Sequence, residues 1–154
     1  MKFSLKTAAV AAAMTLVLCS CGSSSSDVTS SELLKAASES GASFEEMVNV
    51  EDSDIKYLYS IEEDWYDEFS ASAAGNLAFA DEIVVVKASS SDNAAKIKDA
   101  LEKRVESRKK TLESYAPDEY NKLCDSEIKT DGDYIYLIVG KDNKTAEKAL
   151  KKLL

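Results

Sequence analysis

A chain of 154 residues with 28 acids against 19 bases carries a net charge of −9 and contains no histidine. That charge gives no electrostatic reason to hold a phosphate backbone, so nucleic acid is not an expected partner. The missing imidazole removes His-based triads, Cys-His dyads and nearly all zinc or copper sites, so neither a metal site nor a cofactor is expected.

The first residues set the expected compartment. Lys2 and Lys6 form a short positive stretch, and Thr7 to Leu18 is an uncharged run built mainly from Ala, Val, Met and Leu. A bilayer core needs about 20 apolar residues, so this run suits the core of a signal peptide instead. Leu18 and Ser20 stand three and one positions before Cys21, which resembles the bacterial lipobox; Cys19 would put Leu18 where a small residue belongs. Residues 1–20 are therefore read as a lipoprotein signal peptide and Cys21 as the lipidation site. An ordinary secretory signal that releases a soluble protein is the competing reading. Residues 21–31 become a lipidated cysteine and a Ser-rich flexible tether. Cleavage before Cys21 removes two lysines and no acid, so the charge falls from −9 to −11. An acidic body gains nothing by lying on anionic lipid, so acyl chains on Cys21 would supply the attachment, on the outer, extracytoplasmic face of the cell membrane. Cys124 is then left without an internal disulfide partner and is expected to be a small core residue.

Ser30 or Ser31 caps a helix to about Ser40, with Leu33, Leu34 and Ala37 on one side and Gly41 as its stop. Phe44, Met47, Val48 and Val50 form a short apolar patch among acids, and residues 54–61 read as a short helix. Trp65 to Ala73 alternates, Gly75-Asn76 signals a turn, and Phe79 to Ala88 has the highest β-propensity in the chain. The pair reads as an antiparallel hairpin whose Ile83–Val86 run marks a central strand buried on both faces.

Asp92 to Tyr115 is the longest expected helix, with Ile97, Leu101, Val105, Leu112 and Tyr115 on a core-facing stripe and Lys103 on the solvated side. Pro117 starts a shorter helix over 118–123. Residues 127–130 and 134–140 flank Asp131-Gly132-Asp133 as a second hairpin. Lys144 to Leu154 closes the chain, with Ala146, Ala149, Leu150 and Leu153 inward. The expected fold is one α+β domain over residues 32–154: an antiparallel four-stranded sheet of two β-hairpins covered by a long central helix, in the order α-ββ-α-ββ-α.

Several segments are similar to a known family: Ala71 to Gly75, Ala80 to Lys87, Arg104, Tyr115 to Glu119 and Asp133 to Ile138. The family is one of short lipoproteins of Gram-positive anaerobes, catalogued as domain of unknown function four-three-five-eight. The resemblance covers roughly residues 45–153, supports the lipoprotein reading, and implies no activity, substrate or catalytic residue.

Arg104 and Arg108 fall on or beside the apolar stripe. Either can clamp a carboxylate or phosphate at the sheet edge, or pair internally with Glu82 or Asp81. Between Glu45 and Phe69 ten acids face one lysine, beside Trp65 and Tyr66, whereas Asp92 to Tyr115 holds seven bases and five acids. Tyr57, Tyr59, Trp65, Tyr66 and Phe69 either line a groove for a sugar or peptide or form core with wet tips. Glu51, Asp52 and Asp54 lack the glycine-bearing loop of a calcium site. Candidate ligand-binding residues are thus Arg104, Arg108, Glu82, Trp65 and Tyr66. The expected function is non-enzymatic binding of an envelope protein, peptide or sugar by a membrane-anchored domain. The alternative is a small His-free hydrolase or transferase using Arg and paired carboxylates.

Overall fold

The structure, a computed structural model, describes residues 28–154. The signal-peptide and Cys21 assignments lie outside them. Among the described residues no helix is long and apolar enough to cross a membrane.

Helix α1 (Ser30–Ser38) begins at Thr29, whose hydroxyl accepts from the Glu32 N–H while the Glu32 carboxylate accepts from the Thr29 N–H at 2.8 Å. This reciprocal cap satisfies two otherwise orphaned donors and frees Ser30 to be buried. The Ser30 N–H donates to Glu68 Oε2 at 2.6 Å, and its hydroxyl lies 2.9 Å from that of Ser70. The Tyr134 hydroxyl donates to the Val28 carbonyl. The start of the folded body is thereby fastened to two different strands.

Next come β1 (Met47–Asn49), α2 (Asp52–Tyr59), a 3-10 turn at Glu63–Trp65, β2 (Tyr66–Ala74) and β3 (Glu82–Ala88). The second half holds α3 (Ser91–Leu112), α4 (Pro117–Cys124), β4 (Ile128–Asp131), β5 (Tyr134–Val139) and α5 (Asn143–Leu150). Pro117 sits in the first turn of α4, where its missing N–H costs nothing.

The strands form one antiparallel sheet of order β1-β2-β3-β5-β4. The two hairpins join through β3 and β5, with Ile83 opposite Ile138 and Val84 opposite Leu137. Both strands are central, and Ile83 to Val86 are fully buried. Val84, Val86, Leu137 and Val139 pack under α2, α3 and α4 with Ile97, Leu101 and Leu112. Ile83, Val85, Tyr136 and Ile138 pack on the opposite side under α1 and α5 with Leu33, Ala37, Ala146 and Leu150. Each fully buried aliphatic side chain contributes about 1.5–3 kcal/mol, which is why the continuous apolar runs take the central positions.

The sheet has five strands, not four, and the order is α-β-α-ββ-αα-ββ-α. Met47–Asn49, expected only as an apolar patch, pairs with Ser72–Ala74 as an edge strand. Three residues are too few to show a period-2 pattern. The long helix covers one face only, and the terminal helices cover the other. Tyr115 and Leu153, expected inward, are 59% and 45% exposed; both lie beyond the last residue of their helices. Cys124 is exposed rather than core. In α4 the inward position goes to Leu123, and the next residue points about 100° further round.

Candidate functional site

Two buried acids stand at the start of β3, Asp81 just before the strand and Glu82 as its first residue, each met by a cation from the helical layer above. The Arg104 Nε and Nη2 donate to Glu82 at 2.6–3.1 Å, and Nη1 donates to the Leu58 carbonyl at 2.9 Å. The Tyr59 hydroxyl donates to Glu82 Oε1 at 2.7 Å, and the Arg104 guanidinium lies 4.4 Å from the Tyr59 ring centroid. Burial pushes the Tyr59 phenol well above its ordinary range, and the Glu82 charge pushes it further. Burial alone would lower the Arg104 pKa, but the charge and hydrogen bonds of Glu82 outweigh it and the net shift is upward. The carboxylate therefore holds the guanidinium charged in the interior.

The second pair is independent. Lys122 of α4 donates to Asp81 Oδ2 at 2.6 Å and lies 3.0 Å from Glu119, whose other oxygen accepts the Ala80 N–H at 2.7 Å. Here too burial would lower the lysine pKa, and the hydrogen bonds to Asp81 and Glu119 reverse the sign. Among the described residues, Asp81 Oδ1 is buried without a hydrogen-bond partner. Arg108 meets neither acid. Its guanidinium donates to the carbonyls of Leu77 at 3.2 Å and Phe79 at 2.6 Å, pinning the loop between β2 and β3.

Two open clefts flank α2. One, of about 400 Å³, lies against α3 and is lined by Tyr57, Tyr59, Ser60, Trp65, Lys96, Asp99, Lys103 and Arg104, among others. The other, of about 760 Å³, lies against the start of β2, with Asp52, Lys56, Glu62, Glu63, Tyr66, Asp67 and Phe69 on its walls. A smaller recess of about 60 Å³ sits on the opposite face beside Lys129, Tyr136 and Glu147. The candidate residues thus separate. Trp65, Arg104 and, beneath it, Glu82 come together near the α2–α3 cleft. Tyr66 belongs to the acidic cleft on the other side of α2, and Arg108 stands at the far end of α3.

The aromatic group divides in the same way. Tyr57 and Trp65 face the first cleft, Tyr66 and Phe69 the second, and Tyr59 is buried with its ring 5.4 Å from Phe69. Sequence reasoning missed Lys96 and Lys103 as lining residues. Their spacing of seven, which returns a helix to the same side, is the signal that finds them. It also missed Lys122 as the partner of Asp81, which only the packing of α4 on the sheet brings into reach. Among the described residues no group of three or more His, Cys, Asp or Glu side chains is placed to hold a metal ion.

The molecule is a mixed α+β domain built on a five-stranded antiparallel sheet, with buried ion pairs at one strand end and open clefts beside α2. A sequence profile described as Domain of unknown function (DUF4358) matches residues 40–140, and the chain belongs to that family. No curated protein and no solved structure matches it.

Proposed function

We propose that this chain is a lipoprotein of the Gram-positive envelope, held by acyl chains on Cys21 at the outer face of the cell membrane. Its folded domain binds a partner or ligand there without transforming it. The leader and the lipobox-like residues before Cys21 support the anchor.

The observation that carries the binding reading is the mutual saturation of Arg104 and Glu82. A catalytic acid or base has to exchange a proton with substrate, whereas the Glu82 side chain is 4% exposed and engaged by both Arg104 and Tyr59. For the rival, a His-free hydrolase or transferase using Arg and paired carboxylates, the cleft beside Arg104 offers Asp99, itself paired with Lys103, while the clustered acids line the second cleft, where no arginine lines the wall. The open aromatic and charged surface beside α2 suits recognition better.

The test is fractionation of cells making the full chain, with mass spectrometry of the N-terminal peptide. Acylated Cys21 in the membrane fraction, and release of the Cys21→Ala chain, is the expected result. A bare Cys21 thiol, or retention of the chain in the cytoplasm, overturns the anchor.

A further inference from the structure

We infer that the α2–α3 cleft is a subsite for an acidic sugar chain, read by two lysines of α3 and an aromatic pair. The inference rests on the ligand-binding reading above and names the ligand class.

The cleft's volume of about 400 Å³ falls within the range of small-molecule sites, roughly 300–1,000 Å³. Of its three aromatics Tyr59 is buried, and the other two differ in setting. Trp65 is half-buried, whereas Tyr57 is 85% exposed. Such rings present flat apolar faces suited to the C–H side of a pyranose, with a polar edge for hydroxyls.

The charge is equally specific. The lining holds Lys96, Lys103 and Arg104 against Asp99, in a chain whose net charge is −9. Glu82 already balances Arg104, and Lys103 shares its charge with Asp99 at 2.6 Å. The attraction for an anion therefore centres on Lys96, whose ammonium stands 5.4 Å from the Trp65 ring centroid, with Lys103 reinforcing it. A local positive groove in an acidic body concentrates anions against the general field.

Seven residues of helix separate the two lysines by roughly 10 Å along the axis, which is the length of a disaccharide. Carboxylates carried on successive sugar units can meet both. Ser60 ends α2 at the rim with φ +56°, the left-handed turn with which helices commonly close. The peptide alternative fits less well. An extended peptide gains most from the backbone of a free strand edge, and this cleft lies between two helices.

Trp65 is the only tryptophan in the chain, so its emission reports directly on the cleft. The experiment titrates the detergent-solubilised full chain with an oligogalacturonate, with a neutral cello-oligosaccharide of equal length, and with oligoglutamate. The expected result is a saturable emission change with the acidic sugar alone, weakened by salt. Tyr57→Ala and Lys96→Glu, both at exposed positions, should each weaken it at least tenfold while the circular dichroism stays unchanged.

No response to oligogalacturonate, an equal response to the neutral sugar, a stronger one to oligoglutamate, or indifference to both substitutions overturns the proposal. The Cys21→Ala chain has the same cleft and should bind equally. Absence of acidic-sugar binding therefore counts against the cleft, and continued membrane attachment of the Cys21→Ala chain counts against the anchor.

Discussion

The two faces of the central sheet solve the same burial problem with different polar chemistry. Under α2, α3 and α4 the fold buries whole charges, Glu82 with Arg104 and Asp81 with Lys122. Under α1 and α5 it buries the bodies of Tyr134 and Tyr136, and its ion pairs stay at the rim, where Lys129 meets Glu147. A charge inside a protein is tolerable only while its partner is in place. A tyrosine that loses one hydrogen bond keeps most of its apolar contact. The first face is therefore brittle towards single substitutions and the second graded.

The sharpest way to break this comparison is Arg104→Met. It leaves the Glu82 carboxylate buried without a cation and should cost about 3–5 kcal/mol in urea unfolding. Pairing it with Glu82→Leu should return most of the loss, because apolar side chains of similar volume replace a buried ion pair at little cost. A single-variant loss below about 1 kcal/mol would put the face in the graded class.

Next in size is Gly140→Ala, at the seam between the faces. A Cβ there falls 2.6 Å from Phe44 Cε1 and 3.6 Å from Asp81 Oδ1. Overpacking of this kind costs about 1–3 kcal/mol, and Phe44→Leu in the same chain should relieve part of it.

On the graded face, Tyr134→Phe removes one hydrogen bond to Val28 and should cost about 0.5–1.5 kcal/mol by the same unfolding measurement. A loss as large as that of Arg104→Met would erase the distinction between the faces.

The smallest expected effect is the acid response of the rim. Burial would raise the Glu147 carboxyl, but hydrogen bonds and charge from Lys129 and Lys151 hold it below its ordinary value of 4.5. Because the folded pKa is the lower one, its contribution is complete above about 4.5 and is lost as the pH falls through the folded value. Glu147→Gln should make stability fall less steeply between about pH 5 and about pH 3, by no more than about 1 kcal/mol. Unchanged steepness in urea midpoints taken across that range would remove the rim pair from the comparison.

The hairpins and the long helix were legible because their signals are local and repeated. Ile83–Val86 is an unbroken β-branched run, and Ile97, Leu101, Val105 and Leu112 recur at helical spacing. Strand β1 was not legible, since three residues among acids become a strand only by finding the β2 edge. Cys124 was misplaced because a short helix offers one firm inward position, and Leu123 took it. The Arg104–Glu82 pair could be anticipated from an arginine on an apolar stripe. The carbonyl partners of Arg108 could not, because they belong to a loop whose path the sequence does not fix. Nor could the division of the aromatics, which depends on where α2 settles between α3 and β2.

The polar fastening at the start of α1 has a mechanical consequence. Ser30 is tied to β2 through Glu68 and Ser70, and Val28 to β5 through Tyr134. Tension entering at residue 28 is thus divided between two strands of the sheet at once, rather than peeling one terminal helix away. Were the domain hung by the anchor proposed above, the pull would arrive at the point so fastened.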